Sequence, residues 1–227
     1  MEGSRFVADY LKNNEPKWLI LSAEATSASR AVANDASEAG IDVLEILPKL
    51  FSEISDTTHS QGIIAVCALP EMKEIELKPK DTFLLLDRIS DPGNIGTIIR
   101  SAVAFGCSGV IMSEGCCFPF TPKVTRGSAG ANVKVHLMYD IDLPSFMQQN
   151  SDNCTFLGAE ASGGSIEQIE ASTGSTGIVI GSEAHGISEN VRELLDGTVG
   201  IPIKEGVESL NAAVSASILL YVASSQN

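Results

Sequence analysis

A chain of 227 residues with 44% hydrophobic and 19% charged side chains can bury a real core, and that balance excludes disorder, collagen and coiled coil. A net charge of −14 argues at first against a nucleic-acid partner, but the charge is unevenly spread. Residues 1–87 hold 8 basic against 15 acidic side chains and residues 135–227 hold 2 against 12, whereas residues 88–134 hold 5 (Arg88, Arg100, Lys123, Arg126, Lys134) against 2 (Asp91, Glu114). If a polyanion is bound, it is expected on that basic island. The cysteines (Cys67, Cys107, Cys116, Cys117, Cys154) are odd in number and lack C-x-x-C spacing. This speaks against a disulfide framework or a zinc site and for a reducing compartment, read here as the cytoplasm with an organelle left open. The apolar runs are too short for a membrane span, and no charged-then-apolar signal segment opens the chain. A longer natural chain stays open.

The first 70 residues alternate helix and strand patterns. Ser4 to Asn13 places Phe6, Val7, Tyr10 and Leu11 at helical spacing. Trp18 to Leu21 reads as a strand, Ser27 to Ala39 as a helix closed by Gly40, Val43 to Ile46 as a strand and Gly62 to Ala68 as a third. The charged stretch between Pro70 and Pro79 has neither an amphipathic period nor a core signal and reads as a linker. From Thr82 onward come apolar runs at TFLLLD, SGVIMS, CTFLGA, GIVIGS and TVGIPI, with helical segments at Asn94 to Phe105, Leu143 to Gln149, Ser188 to Leu195 and Glu208 to Val222. Strands alternating with helices mean an α/β fold whose parallel sheet is covered on both faces. The short Ser/Thr/Gly stretch at 171–177 reads as a surface loop.

Ligands of such sheets sit in the loops after the carboxyl ends of the strands. The first of these, residues 84–106, ends a strand at Asp87 and starts a helix near Asn94, with Asn94, Thr97 and Ser101 roughly on one face and Arg100 nearby. Taken alone, this loop reads first as an N-cap plus a surface arginine. Its GNIG turn lacks both the G-x-G-x-x-G spacing and a phosphate-loop lysine. The second loop, residues 177–188, carries Gly181, Ser182 and Glu183, then Gly186; Glu183 reads either as a rim carboxylate that orients a ligand or as a solvated one. His185 reads as an exposed loop residue. In the third, residues 201–221, Ile201 and Pro202 end a strand, Ser209 is a natural N-cap, Asn211 lies one turn inside the helix, and Leu210, Val214, Ile218 and Tyr221 mark its apolar side.

Taken in order, Asn94-Ile95-Gly96 with Arg100, Gly181-Ser182-Glu183 with Gly186, and Ile201-Pro202-Ile203 with Ser209-Leu210-Asn211 resemble the motifs of the SpoU (TrmH) family of RNA methyltransferases. The segment at 123–137, with Arg126, Ser128 and Gly130, is similar to the family's R-x-S-x-G element. Ile203 stands where the family often has Met, a volume-conserving exchange. The likeness covers about residues 82–223, and more loosely the amino-terminal part. It implies a knotted parallel-sheet methyltransferase domain (81–227) with a deep trefoil knot, joined by a linker (73–80) to a small α/β RNA-binding domain (1–72). It also implies a homodimer, S-adenosylmethionine as cofactor, and methyl transfer to a ribose 2′-hydroxyl of transfer or ribosomal RNA, with no metal and no membrane. Arg100 is then the expected catalytic residue, oriented by Asn94, Glu183, Ser209 and Asn211. Ala159, Gly181, Ile201, Ser209 and Leu210 would hold the cofactor, and Arg88, Lys123 and Arg126, with Lys134, would meet RNA phosphates. The rivals are a non-catalytic knotted RNA-binding or ribosome-associated protein, and a small-molecule methyltransferase or dinucleotide enzyme on an ordinary open sheet.

Overall fold

The computed structural model describes residues 1–169, 174–204 and 206–224, which fall into two units, Met1–Pro70 and Glu71–Asn227. In the first unit, α1 (Ser4–Leu11), β1 (Trp18–Ser22), α2 (Ser27–Glu38), β2 (Val43–Ile46), α3 (Pro48–Ile54) and β3 (Ile63–Val66) build a three-stranded sheet of order β2-β1-β3. β1 runs parallel to β2 and antiparallel to β3. The helical spacing of α1 and the alternation of β1 put Val7, Leu19 and Leu21 into one core with Ala33, Ala36 and Ile63. Thr26 caps α2, its side chain accepting from the Ser29 N–H, and Gly40 follows the helix at φ +91°. Glu2 ties down the 55–60 loop: its carboxylate accepts hydrogen bonds from Ser55 Oγ, Thr57 Oγ1, Ser60 Oγ and the Asp56 N–H. Burial alone would raise its pKa; these bonds outweigh burial and hold it below the ordinary 4.5. The sequence reading omits α3, a short helix opened by Pro48 that buries only Phe51.

The second unit holds β4 (Thr82–Asp87), α4 (Pro92–Ala104), β5 (Gly109–Ser113), α5 (Pro122–Gly127), β6 (Leu137–Ile141), α6 (Leu143–Asn150), β7 (Cys154–Gly164), β8 (Ser175–Gly181), α7 (Glu189–Arg192), β9 (Gly197–Val199) and α8 (Ala212–Ser224). Its six strands lie in the order β6-β5-β4-β8-β7-β9, and every neighbouring pair is parallel. Both faces are covered, which is why the strands read as unbroken apolar runs. β4 sends Leu84 and Leu86 to the face shared with Ile95, Ile98 and Ile99 of α4 and Ala216 and Leu219 of α8; Phe83 and Leu85 go to the other, against Leu143 and Met147 of α6 and Val191 of α7.

Several expectations are corrected. Residues 70–79 form neither helix nor strand, yet Ile75 and Leu77 pack on the core of the second unit. Of TVGIPI only the first part is strand: β9 ends at Val199, and from Gly200, whose N–H bonds Gly164 O, the chain leaves the sheet. Pro202 has no N–H with which to continue a ladder. Residues 171–173 lie outside the described residues, but Ser175 and Thr176 are buried in β8 and are no surface loop. β6 is a short strand with Asp140 at φ +55° and a register shift against β5, and α5 has only six residues; neither leaves a period long enough to read. The final helix starts at Ala212 and buries Ala212, Ala213, Ala216, Leu219 and Leu220. Its expected apolar side is the outer one, with Val214 45% and Tyr221 61% exposed.

Candidate active site

Side-chain carboxylates and close glycine contacts shape the loops after β4 and β8. At the end of β4, Asp87 is only 2% exposed; its carboxylate accepts from Arg88 Nε at 3.2 Å and from the Ser188 N–H at 2.6 Å, which ties the loop after β8 to the loop after β4. The cap of α4 is Asp91, whose Oδ1 accepts from the Asn94 N–H at 2.9 Å, with Pro92 in the first turn. Asn94 is therefore not the cap, and its side chain is released to turn toward Glu183. Gly96 lies buried against α5, where a Cβ would sit 2.9 Å from the Gly127 backbone, so only glycine lets the two helices approach this closely. The loop after β8 folds on itself, with Gly186 N–H bonding Ser182 O at 2.7 Å and Gly186 at φ +64°. A Cβ at Gly181 would lie 2.2 Å from the Gly186 carbonyl carbon.

The polar centre is a triangle of side chains. Asn211 caps α8: its Oδ1 accepts from the N–H groups of Ala213 at 3.0 Å and Val214 at 3.3 Å. This replaces the expected cap, Ser209, which lies outside the helix in the preceding loop. With Oδ1 committed, Asn211 Nδ2 must point outward, and it donates to Asn94 Oδ1 and to Glu183 Oε1, each at 3.0 Å. Asn94 Nδ2 in turn donates to the same Glu183 oxygen. The orientation of both amides is thus fixed by the helix cap.

Beside this triangle lies a cleft of about 290 Å³, near the lower bound of roughly 300 Å³ for small-molecule sites. Ala159, Gly181, Ile201, Ser209 and Leu210, expected to hold a cofactor, all line it, as does Glu183. Glu160 and Arg192 line it too, joined by an ion pair between β7 and α7. The sequence reading passes over both. Glu160 follows the apolar CTFLGA run inside a strand, and α7 is a four-residue helix. Asp87 was visible as a carboxylate ending an apolar strand, yet nothing in sequence announced its partner Ser188.

Arg100 stands apart. It is exposed on α4 and makes no hydrogen bond or ion pair with Asn94, Glu183, Ser209 or Asn211 among the described residues, so the expected orientation of Arg100 by that set does not occur within one chain. Arg88 and Lys123 are exposed. Arg126 is half-buried in α5, next to a polar knot in which Asn132 Nδ2 donates to Thr125 Oγ1 and Ser128 Oγ donates to Thr125 O. His185 is exposed in the tight loop. Burial raises the thiols of Cys107 and Cys154 to about 11, and all five cysteines are free. Among the described residues no cluster of three or more His, Cys, Asp or Glu is arranged to hold a metal, and no helix is long and apolar enough to cross a membrane.

With this geometry in place, residues 81–221 match the SpoU rRNA Methylase family. The chain belongs to that family. Residues 1–73 match the domain described as RNA 2'-O ribose methyltransferase substrate binding. The 23S rRNA (guanosine(2553)-2'-O)-methyltransferase RlmP of Bacillus subtilis is 31% identical over 81% of this chain and 73% of its own length. The human mitochondrial rRNA methyltransferase 3 is 27% identical over 97% of this chain; the chain spans 66% of that relative's length. Among solved structures, the SpoU methyltransferase AviRb of Streptomyces viridochromogenes in complex with AdoMet superposes with a TM-score of 0.84 at 26% identity, covering 100% of this chain and 89% of that one.

Proposed function

We infer that this SpoU-family chain is an RNA methyltransferase that carries a methyl group from S-adenosylmethionine to a ribose 2′-hydroxyl of RNA. The observation that carries the reading is the cap-fixed triangle of Asn94, Glu183 and Asn211 on the rim of a cleft with walls of small and apolar residues. The cleft suits the cofactor. Ala159, Ile201 and Leu210 offer an apolar slot for adenine, Gly181 lets the 181–187 loop fold tightly along the cleft, and two carboxylates, Glu160 and Glu183, line the space for a ligand that carries a sulfonium charge. When bound, S-adenosylmethionine supplies a methyl group on a good leaving group, so the protein's task is positioning and charge stabilisation.

The residues divide that task as follows. Asn94 and Asn211 hold Oε1 of Glu183, leaving Oε2 for the ligand side of the cleft. The Glu160–Arg192 pair braces the opposite wall and grips the cofactor's polar end. Arg100 stabilises the developing alkoxide and a neighbouring phosphate; its guanidinium stays protonated, with a pKa above about 12, and so is no general base. Arg88, Lys123 and Arg126, with Lys134, meet RNA phosphates.

The finer features of the reading follow from packing. A homodimer is supported by the outer stripe of α8, where Val214 and Tyr221 are exposed and Tyr221 meets Phe105 edge-on at 5.7 Å. α4 adjoins this stripe through the Ser101–Ser217 hydroxyl pair at 2.6 Å, so a second copy seated there would cover Arg100 and bring its own loops beside it. The reading includes a deep trefoil knot, for which the support is the likeness to the SpoU methyltransferase AviRb. The unit boundary near residue 70 supports an amino-terminal RNA-binding domain, and the free thiols support a reducing, cytoplasmic setting.

The test is methyl transfer from radiolabelled S-adenosylmethionine to unmodified transfer and ribosomal RNA, followed by alkaline digestion, which spares the bond beside a methylated 2′-hydroxyl. Label in alkali-resistant dinucleotides supports the proposal. Label in mononucleotides would mean base methylation, and cofactor binding without any transfer would favour a non-catalytic RNA-binding protein.

A further inference from the structure

Outside the cleft, the loop from Glu114 to Thr121 carries two aromatic rings, Phe118 and Phe120, into one cluster with Tyr139 of β6. Phe118 and Phe120 meet at 5.7 Å and 65°, Phe118 and Tyr139 at 5.2 Å and 89°, and Phe120 and Tyr139 at 6.1 Å and 79°. Phe120 and Tyr139 are rooted in the main core, whereas Phe118 is the outermost ring, 39% exposed. The loop is rigidly placed. The Cys117 N–H bonds Ile89 O at 3.0 Å, Asn132 Nδ2 donates to Pro119 O at 3.0 Å, and the Thr121 side chain caps α5. The bond to Ile89 fastens this loop to the one that leads into Asn94. β5 feeds the loop from its carboxyl end and lies beside β4, so the ring cluster and the Asn94 loop share one edge of the sheet.

An aromatic ring held edge-on by two others has no freedom to lose on meeting a flat partner, and its open side faces solvent. Two cations belong to the segments that bound its loop. Arg88 packs across Gly115, whose Cβ position lies 3.5 Å from Arg88 Cγ, and Lys123 stands exposed in the first turn of α5. The acids of the same stretch are Glu114 and Asp91, and Asp140 follows Tyr139. A ring platform flanked by cations fits a nucleobase whose phosphates the cations neutralise, because every base offers a π-face regardless of sequence.

We propose that Phe118, braced by Phe120 and Tyr139, is a stacking platform for an unpaired nucleobase of the RNA, near the nucleotide whose ribose enters the cleft. The proposal rests on the RNA reading above and adds to it a site for a base rather than for the backbone. It accounts for exposed aromatic surface within the basic island that neither the cleft nor the triangle of polar side chains uses.

The experiment uses the full chain and a single-stranded oligoribonucleotide of about 12 residues with 2-aminopurine near its centre, a base whose fluorescence falls when it stacks. Wild type should quench the probe, Phe118→Trp should keep or deepen the quench, and Phe118→Leu should abolish most of it while weakening binding about tenfold, the scale of one lost base stack. Lys123→Ala should weaken binding and make its loss with salt shallower, yet leave the quench at saturation intact. Equal quench and affinity in Phe118→Leu would overturn the platform, as would a change in sedimentation confined to that variant, which would assign the rings to a protein contact. Wild type that binds the probe without quenching also overturns it and leaves the RNA reading standing; wild type that binds no RNA of any kind overturns both.

Discussion

The two sides of the candidate site are built on opposite principles. The polar rim is built from side chains that bond one another: Asn94, Glu183 and Asn211 form a closed set of hydrogen bonds, anchored because Asn211 also caps α8. The cleft wall depends on side chains that are small or missing: Ala159 lines the cleft with a single methyl group, and the bare Cα of Gly181 lets the loop after β8 fold back against Gly186. One side should fail when its chemistry is altered, the other when its space is filled. Rim substitutions therefore belong with rate, and wall substitutions with binding.

The largest expected effect is at Arg100. Arg100→Ala should lower methyl transfer about 100-fold or more while cofactor affinity stays within twofold, by analogy with removal of a transition-state donor. Arg100→Lys should also lose most activity, since a point charge does not replace the planar fork. Near-full retention in single-turnover assays would remove Arg100 from the chemistry. Next comes Gly181→Ala. A methyl group 2.2 Å from the Gly186 backbone forces the loop open, so cofactor affinity by equilibrium dialysis should fall at least about tenfold and stability by about 1–3 kcal/mol. Unchanged affinity would mean that the cleft is not the cofactor site. Arg192→Ala should weaken cofactor binding by a smaller factor, roughly threefold to tenfold, because the pair is half open to solvent.

These comparisons also show what was readable in the chain. Asn94, Glu183 and Asn211 stand out as polar residues after apolar strands, so the rim was legible. Their pairing was not. Ser209 is as good a cap as Asn211 by residue type, and the choice between them depends on where α8 starts, a matter of tertiary packing. Of the wall, Ala159, Gly181, Ile201, Ser209 and Leu210 were named through the family resemblance, whereas Glu160 is hidden in the continuation of an apolar strand and Arg192 in a four-residue helix. β4, β5, β8 and α4 were plain from unbroken apolar runs and helical spacing, whereas β6, α3 and α5 are too short to show a period. Where the chain leaves the sheet, Gly200 is held by backbone contacts with β7, which no hydrophobic pattern encodes.

The smallest expected effect lies in the first unit, far from this comparison in kind. The Glu2 carboxyl has its pKa lowered by the hydrogen bonds from Ser55, Ser60, Thr57 and Asp56 against the raising effect of burial. A depressed carboxylate adds stability that is present above the unfolded value near 4.5 and is lost as pH falls through the lower folded value. Acid melts of the wild type should therefore lose stability below about pH 4.5. Glu2→Gln should be less stable at neutral pH by about 1 kcal/mol and lack part of that acid-side loss. Parallel pH profiles for the two proteins would show that the Glu2 network adds no stability.

The most direct measurement is on Asn211→Asp, with cofactor dissociation constant and single-turnover methyl transfer determined on the same preparation. Aspartate keeps the cap on α8, so the fold should hold, but it replaces the donor to Glu183 and Asn94 by a second carboxylate. The account predicts cofactor affinity within about twofold of wild type and a transfer rate at least about tenfold lower. An unchanged rate at saturating cofactor, or a loss confined to cofactor affinity, would contradict the division of the site into a rim that acts and a wall that binds.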